Sequence, residues 1–309
     1  MNFIVFPGQG SQKISMGKDL SDNFVEAKEV FEEVNEALDF NLTEIMWGDD
    51  EKSLSLTYNA QPALMACGVA SFRVLKKLTG KNLTELANYV CGHSLGEYTA
   101  MTVAGVFSLK ECSQLLRLRG NAMQKAVPVG KGAMAAFIGA DITTTLDILE
   151  QVQSFGVCDI ANDNSDGQVV ISGDLEAVEK AINLTKQYGI KRAVLLPVSA
   201  PFHCRLMQPA QLTMEEALNN LEFQLPTLPI ISNINAKPET EPNKLRMNLI
   251  NQVTGTVKWR ETMLLAKKLG VQKIIELGSG KVLTGIAKRM IENVSILNIE
   301  NSADLEKIL

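Results

Sequence analysis

The sequence predicts an α/β protein, with a mostly parallel sheet in a large domain and a smaller α+β domain inserted into it. Towards both ends of the chain, short apolar runs alternate with helical stretches, which is the pattern of a parallel sheet covered by helices. Between them, residues 133–196 have the order β-α-β-β-α-β, which is a complete ferredoxin-like unit. The predicted large domain is therefore residues 1–126 with 199–309, and the predicted small domain is residues 127–198.

The large domain starts with alternating strands and helices. We predict strand 3–6, helices 22–38 and 61–79, strand 88–92, helix 95–104 and a helix that starts at 108. Pro62 lies at the start of the second helical stretch, where a helix tolerates proline. Ser108 and Glu111 form a capping box, which indicates the start of the last of these helices.

The remaining elements complete the two predicted domains. In the inserted domain we expect strands 133–138, 157–161, 168–172 and 192–196, with helices 142–153 and 174–188. The large domain then resumes with helix 206–220, strand 228–232, helices 243–252 and 259–269, strand 273–277 and helix 281–292.

Composition narrows the classes of function. The chain has 309 residues, 46% of them hydrophobic, and a net charge of -5, so no global basic surface is available for nucleic acid. Five cysteines without a CxxC pair and only two histidines predict neither a disulfide framework nor a metal site. No apolar run has the length of a membrane span, and the start of the chain is unlike a signal peptide. We therefore expect a cytoplasmic protein without membrane or nucleic-acid partners.

Residues 92–96, Gly-His-Ser-Leu-Gly, contain the main candidate for chemistry. A strand is predicted before them and a helix after them, which is the context of the nucleophile elbow in hydrolase-like α/β proteins. In such a turn Ser94 is exposed at the tip, and the N–H of Leu95 at the helix start offers half of an oxyanion hole. Gln9 follows the first strand, in a loop that is either a plain turn or supplies the other N–H.

A nucleophilic serine needs a base, and the sequence leaves one histidine for this role. His93 is adjacent to Ser94, and neighbouring side chains on a strand point to opposite faces, so it cannot easily reach the hydroxyl. His203 is therefore the predicted base. No Asp or Glu stands out as the third member of a Ser-His-acid triad. A backbone carbonyl could orient the histidine instead.

Arg119 is the only charged residue on the apolar stripe of its predicted helix. The stripe is formed by Leu109, Cys112, Leu116 and Met123. An arginine that faces a core must be paired, so two interpretations stay open. Arg119 either makes a structural salt bridge, or faces the pocket and binds a substrate carboxylate through two parallel hydrogen bonds.

Seven motifs together give the sequence a family resemblance that covers essentially the whole chain. The motifs are FPGQGSQ at 6–12, QPAL at 61–64, GHSLGEYTA at 92–100, RG at 119–120 with MQ at 123–124, GQVVISG at 167–173, PVSAPFHCRLM at 197–207 and QVTGTVKW at 252–259. The sequence resembles the malonyl-CoA:acyl carrier protein transacylases and the related acyltransferase domains of fatty-acid and polyketide synthases.

The resemblance implies a role for each matching residue. Ser94 would be acylated with His203 as its base, Arg119 would bind the malonyl carboxylate, and Gln9 and Leu95 would supply the oxyanion-hole N–H groups. The remaining implied site residues are Gln61 and Asn162 in the pocket (Asn162 rather than Asn164), Phe202 as the residue that crowds an α-methyl group, and the backbone carbonyl of Gln252 as the group that orients the histidine.

The resemblance also implies the partners. Malonyl-CoA would be the donor, and the acceptor would be the phosphopantetheine thiol of an acidic acyl carrier protein, with no cofactor on this chain. Docking would then need a local basic rim, and the candidates are Lys191, Arg192, Arg205, Lys281, Lys288 and Arg289. We expect a monomer. The alternatives are a free-standing acyltransferase of a polyketide pathway, a serine thioesterase or hydrolase, and a non-catalytic subunit that binds the carrier protein.

Overall fold

The computed structural model describes residues 1–306, and its strands form two sheets. The strands are β1 (Asn2–Phe6), β2 (Tyr89–Gly92), β3 (Gly132–Ile138), β4 (Cys158–Ser165), β5 (Gln168–Asp174), β6 (Arg192–Leu195), β7 (Ile230–Ile231), β8 (Pro238–Glu239), β9 (Lys273–Leu277) and β10 (Ser295–Ile299).

Helices pack against both sheets. They are α1 (Lys18–Asn23), α2 (Val25–Leu38), α3 (Leu42–Trp47), α4 (Glu51–Ser55), α5 (Thr57–Thr79), α6 (Leu83–Leu86), α7 (Leu95–Val103), α8 (Leu109–Ala126), α9 (Ile142–Val152), α10 (Leu175–Leu184), α11 (Gln208–Asn219), α12 (Pro242–Gln252), α13 (Trp259–Lys268), α14 (Val282–Met290) and α15 (Ser302–Leu305). Short 3-10 turns occur at Gln153–Phe155, Thr185–Tyr188 and Arg205–Met207.

The large sheet has the order β10-β9-β1-β2-β7-β8, and every neighbouring pair except β7–β8 is parallel. Strand β1 lies near its centre and is buried on both faces. Ile4 and Phe6 pack into one helical layer, and Phe3 and Val5 pack into the other. This burial explains why the strand is a continuous apolar run in the sequence. The predicted α/β class with a mostly parallel sheet is confirmed.

The second sheet has the order β4-β5-β3-β6 and is antiparallel throughout. Helices α9 and α10 cover one face and bury Ile148 and Val178 against Phe137 and Ile171. This is the predicted ferredoxin-like unit. It is joined to the large domain through Val257, whose N–H donates to the carbonyl of Ala161 over 2.8 Å. The domain boundaries at 126/127 and 198/199 stay predictions.

The predicted bounds of two helices were wrong. The predicted helix 22–38 is two helices, α1 and α2, because Phe24 between them is extended, with φ −134°. Helix α5 starts at Thr57 rather than at Gln61, so Pro62 lies inside the helix. Pro62 has no N–H for the carbonyl of Tyr58, and Arg117 Nη1 donates to that carbonyl instead, over 2.9 Å.

Several small elements escaped prediction or were predicted too long. Strand β10 was missed, because it is an edge strand with half-exposed side chains and therefore lacks a clear burial pattern. The predicted strand 228–232 is longer than the observed β7, which has two residues, and the antiparallel β8 was not predicted. The predicted helix 174–188 is α-helical only as far as Leu184. The short helices α3, α4, α6 and α15 were also missed, because four to six residues carry little periodicity.

Within residues 1–306, no helix is long and apolar enough to cross a membrane. All five cysteines are buried free thiols.

Candidate active site

Ser94 lies on a strand-to-helix turn at the carboxyl end of β2. Its backbone has a positive φ of 53° with ψ −110°, which costs energy for a residue other than glycine and is typical of the elbow. Both flanking glycines are required by space. A Cβ on Gly92 would lie 2.0 Å from the carbonyl of Gly96, and a Cβ on Gly96 would lie 2.3 Å from the carbonyl oxygen of Phe6. The turn can therefore press against β1 and leave the serine side chain at the tip.

The structure brings His203 to Ser94. Its Nε2 lies 2.8 Å from Ser94 Oγ, and its Nδ1 lies 2.9 Å from the backbone carbonyl of Gln252. A carbonyl can only accept, so Nδ1 carries the hydrogen and Nε2 is free to accept the serine proton. Burial, aided by the charge of Arg119, lowers the pKa of His203 to about 3, so the imidazole is neutral at neutral pH. The carbonyl of Gln252 thus binds the ring nitrogen that a carboxylate binds in Ser-His-Asp triads.

Arg119 is 1% exposed and points at the same serine. Its Nη1 donates to Gln61 Oε1 over 2.7 Å, and its Nη2 donates to Gln252 Oε1 over 2.9 Å and to Ser94 Oγ over 3.1 Å. Among the residues that the structure describes, no carboxylate is within ion-pair distance of this guanidinium. Of the two interpretations left open by the sequence, a direct structural salt bridge is therefore wrong, and the guanidinium faces the pocket.

Most of the site residues predicted from the sequence line one cavity of about 640 Å³. Its lining includes Gln9, Gln61, Ser94, Leu95, Arg119, Asn162, Phe202 and His203. Thr57 links two of the glutamines, because its hydroxyl donates to Gln9 Oε1 over 2.9 Å and accepts from Gln61 Nε2 over 2.8 Å. In the described part of the chain, the backbone N–H groups of Gln9 and Leu95 have no protein acceptor, as an oxyanion hole requires.

The structure gives different surroundings to Asn162, the asparagine expected in the pocket, and to Asn164. Asn162 lies in the cavity wall, whereas Asn164 Oδ1 lies 2.8 Å from Nε2 of His93 and so engages that histidine. His93 also packs against the ring of Trp259 at a centroid distance of 5.7 Å. His93 lies one residue beyond the end of β2 and lines the same cavity, but it is His203 that contacts the hydroxyl of Ser94.

Two polar residues behind the site were not identified from the sequence. Asn233 follows β7 and accepts the N–H of Ser94 at Oδ1 over 2.7 Å, while its Nδ2 donates to the carbonyl of Gly92 over 2.7 Å. Glu97 on α7 is fully buried. A signal for each existed. Asn233 follows a parallel strand at the edge where ligands bind, and Glu97 is the only charged residue in an otherwise uncharged helix.

The candidate docking residues are not equally available. Arg205 is bound to Asp159, with Nη2 3.0 Å from the carboxylate, and Arg289 Nη2 donates to Gln168 over 3.3 Å. Arg205 and Asp159 lie beside a second cavity of about 1010 Å³, which contains none of the predicted site residues. Within residues 1–306, no group of three or more His, Cys, Asp or Glu side chains is arranged to hold a metal ion.

A serine on an elbow, a histidine beside it and a buried arginine, all at the carboxyl edge of a parallel sheet, define an α/β enzyme that acts on acyl groups. Comparison with known proteins leads to the same class of enzyme. Residues 3–303 match the model of the acyl transferase domain, and the chain belongs to this family of acyltransferases.

Individual relatives are similar over their whole length. The chain is 38% identical to the malonyl CoA-acyl carrier protein transacylase of Haemophilus influenzae, over 99% of this chain and 97% of the relative. Its fold matches the acyl-carrier-protein-S-malonyltransferase of Bartonella henselae with a TM-score of 0.97 and 49% identity, over 100% and 98% of the two chains. It also matches a malonyl-transacylase solved in complex with a type II PKS acyl-carrier protein, with a TM-score of 0.95 and 38% identity, over 100% and 98%.

Proposed function

We propose that this protein transfers a malonyl group from malonyl-CoA to the phosphopantetheine thiol of an acyl carrier protein, through a malonyl ester on Ser94, and so feeds fatty-acid synthesis. One observation carries the proposal. Ser94 Oγ lies 2.8 Å from His203 Nε2 and accepts from Arg119 Nη2 over 3.1 Å, so a base and a fixed positive charge meet at one hydroxyl. The names of the relatives from two bacteria support the same reaction.

In the first half-reaction, His203 Nε2 takes the proton of Ser94 and the serine oxygen attacks the thioester carbonyl carbon. The negative charge that develops on the carbonyl oxygen is stabilised by the N–H groups of Leu95 and Gln9. The C–S bond then breaks, the proton on His203 passes to the sulfur, and CoA leaves as a thiol. The product is malonyl esterified to Ser94.

The second half-reaction reverses these steps with a new thiol. His203 takes the proton of the phosphopantetheine thiol, and the thiolate attacks the ester carbonyl in the same oxyanion hole. The C–O bond to Ser94 breaks, the serine oxygen recovers the proton from His203, and malonyl leaves on the carrier protein. The mechanism is ping-pong, because the first product departs before the second substrate reacts.

Arg119 selects the acyl group in this proposal. Its guanidinium lines the cavity beside Ser94 and binds the free carboxylate of malonyl in this proposal. Phe202 is 7% exposed in the wall of the same cavity, where its ring crowds an α-methyl substituent. Both features favour malonyl over acetyl and methylmalonyl.

Intact mass spectrometry tests the proposal directly. The purified protein is mixed briefly with malonyl-CoA, with the Ser94→Ala variant in parallel. We expect one malonyl increment on the wild type, no increment on the variant, and loss of the increment when holo acyl carrier protein is added, with malonyl appearing on the carrier.

The alternatives give different spectra. A thioesterase would release free malonate without a carrier protein, and a non-catalytic subunit would carry no increment in any sample. Either result would overturn the proposal. A polyketide role has one observation in its favour, the likeness to a malonyl-transacylase complexed with a type II PKS acyl-carrier protein, and it predicts faster transfer to such a carrier than to a fatty-acid carrier.

The proposed function also includes a cytoplasmic location, a monomeric state and a reaction without a bound cofactor. These three points rest on the sequence alone.

A further inference from the structure

Glu97 is a buried carboxylate that the mechanism above does not use. It lies on α7, three residues after Ser94, and none of its surface is exposed. Its Oε2 accepts from Gln252 Nε2 over 2.7 Å and from the backbone N–H of Asn233 over 3.1 Å. A buried charge is costly unless it is paired or well hydrogen-bonded, so the contacts of this side chain indicate what it does.

The contact with Gln252 determines which way the amide of Gln252 points. A carboxylate can only accept hydrogen bonds and a guanidinium can only donate them. Glu97 therefore holds the NH₂ of Gln252 on its own side, where the carbonyl of Ser94 also accepts from it over 3.0 Å. The opposite end, Oε1, must then face Arg119, which donates to it over 2.9 Å. Glu97, Gln252 and Arg119 form a chain of hydrogen bonds with one allowed direction.

This chain of hydrogen bonds also lies between two opposite charges. Glu97 and Arg119 are both fully or almost fully buried and are not in direct contact, so the amide of Gln252 bridges them with its NH₂ towards the anion and its oxygen towards the cation. Burial raises the pKa of the Glu97 carboxyl, while the hydrogen bonds from Asn233 and Gln252 and the charge of Arg119 oppose the rise. Because Nη2 of Arg119 also donates to Ser94 Oγ over 3.1 Å, its bond to Gln252 fixes the guanidinium beside this hydroxyl.

We propose that Glu97 is a positioning residue for malonyl transfer, which acts through the side chain of Gln252 to hold Arg119 in the orientation that binds the substrate carboxylate. The proposal rests on the proposed function, because it assumes that Arg119 receives malonyl. Glu97 touches no substrate atom in this proposal. Its effect should therefore depend on the acyl group, which distinguishes it from a residue that only stabilises the fold.

The test compares two acyl donors in the Glu97→Gln variant. This change keeps the size of the side chain and removes its charge. We expect kcat/KM for malonyl-CoA, with holo carrier protein as acceptor, to fall about tenfold, because a hydrogen bond to a charged group is roughly twice as strong as a neutral one. With acetyl-CoA, which has no carboxylate for Arg119, we expect a change of less than about threefold by the same argument. The malonyl-to-acetyl ratio is the readout.

Glu276 provides a matched control. It is also a fully buried glutamate, and its carboxylate accepts the backbone N–H groups of Leu283 and Thr284 at the start of α14, over 3.1 and 2.7 Å. Glu276→Gln should lower the free energy of unfolding without changing the malonyl-to-acetyl ratio. Thermal denaturation of both variants shows whether they are folded at the assay temperature.

A second variant tests the route through Gln252. Gln252→Ala removes the amide and keeps the backbone carbonyl that orients His203. If Glu97 acts through this amide, Glu97→Gln should have no further effect on the ratio in the Gln252→Ala background. An equal fall for both donors in Glu97→Gln, or additive effects in the double variant, would overturn the role of Glu97 and leave the proposed function standing. A wild-type enzyme that does not prefer malonyl would overturn both.

Discussion

The guanidinium of Arg119 contacts the hydroxyl of Ser94, with Nη2 donating to Oγ over 3.1 Å. In the proposed reaction this hydroxyl oxygen carries the acyl group, and a fixed positive charge so close to it restricts the acyl groups that fit. A carboxylate that pairs with Arg119 must be only a short distance from the thioester carbonyl, and malonyl has a single methylene between the two. Gln61 and Gln252 hold the guanidinium before substrate arrives, so its orientation costs little during the reaction.

Replacing Arg119 by alanine should change acyl selectivity more than overall chemistry. Two hydrogen bonds to a charged group contribute on the order of 3 kcal/mol, so kcat/KM for malonyl-CoA should fall roughly a hundredfold. Acetyl-CoA makes no such contact, so its kcat/KM should change far less. Rates of transfer to holo carrier protein with the two donors measure the ratio.

Arg117, two residues earlier on α8, provides the control for this prediction. Its guanidinium donates to the carbonyl of Tyr58 and stacks over the ring of Phe40, 4.7 Å from the ring centroid, and it does not line the cavity of Ser94. Arg117→Ala should reduce stability and leave the malonyl-to-acetyl ratio unchanged. If Arg119→Ala changed kcat/KM for malonyl-CoA and for acetyl-CoA by the same factor relative to wild type, Arg119 would not bind the carboxylate.

The positions of Ser94, His203 and Arg119 could be predicted because each breaks a local pattern. Ser94 is flanked by glycines that leave no alternative to a tight turn, and Arg119 interrupts an apolar stripe. Only two histidines occur, and the ring of the one adjacent to Ser94, His93, is engaged by Asn164. For Ser94 and Arg119 such reasoning needs only the residues within one element, and for His203 it needs only a count of the histidines.

The contacts behind the site could not be predicted, because they join elements far apart in the chain. Gln252 reaches Ser94, Glu97 and Arg119 from α12, and nothing in its neighbourhood in the sequence signals this. The start of α5 was misplaced for a similar reason. The carbonyl that Pro62 leaves unpaired is satisfied by an arginine side chain on another helix, which the local pattern around the proline does not reveal.

The close approach of Gly96 to β1 predicts that alanine is not tolerated there. The added Cβ would lie 2.3 Å from the carbonyl oxygen of Phe6 and 3.0 Å from that of Pro7, and backbone atoms of a central strand cannot yield easily. Overpacking of this kind costs about 1–3 kcal/mol, and the shift would also move Ser94 away from His203. We expect lower stability in urea denaturation, with a fall in the rate of Ser94 acylation that exceeds the loss of folded protein.

Gly285 on α14 is a helical glycine without this constraint. The nearest atom to an added Cβ is the end of the flexible Arg289 side chain, at 3.8 Å. Gly285→Ala should therefore raise the free energy of unfolding by roughly 0.5–1 kcal/mol, through helix propensity alone, and leave acylation unchanged. Similar behaviour of the two variants would show that the packing of Gly96 against β1 does not constrain the elbow.

The low pKa of His203 predicts a specific loss of stability in acid. Burial lowers the pKa to about 3, whereas in the unfolded chain it is ~6.5. Between these values the unfolded chain binds a proton that the native chain does not, so the free energy of unfolding decreases as the pH falls through 6.5 towards 3. The slope from this one group approaches ~1.4 kcal/mol per pH unit, and above about pH 6.5 the group contributes no pH dependence.

His203→Asn isolates this contribution, because His93 and every carboxylate are common to both proteins and cancel in the difference. The free energy of unfolding is measured by urea denaturation of the wild type and the variant. The difference between them should shift against the wild type by roughly 2 kcal/mol when the pH is lowered from about 7.5 to about 5. A difference that does not depend on pH would mean that His203 is protonated equally in both states. The pKa of His203 would then be ~6.5 in the native chain as well, and burial beside Arg119 would not keep the imidazole neutral below that pH.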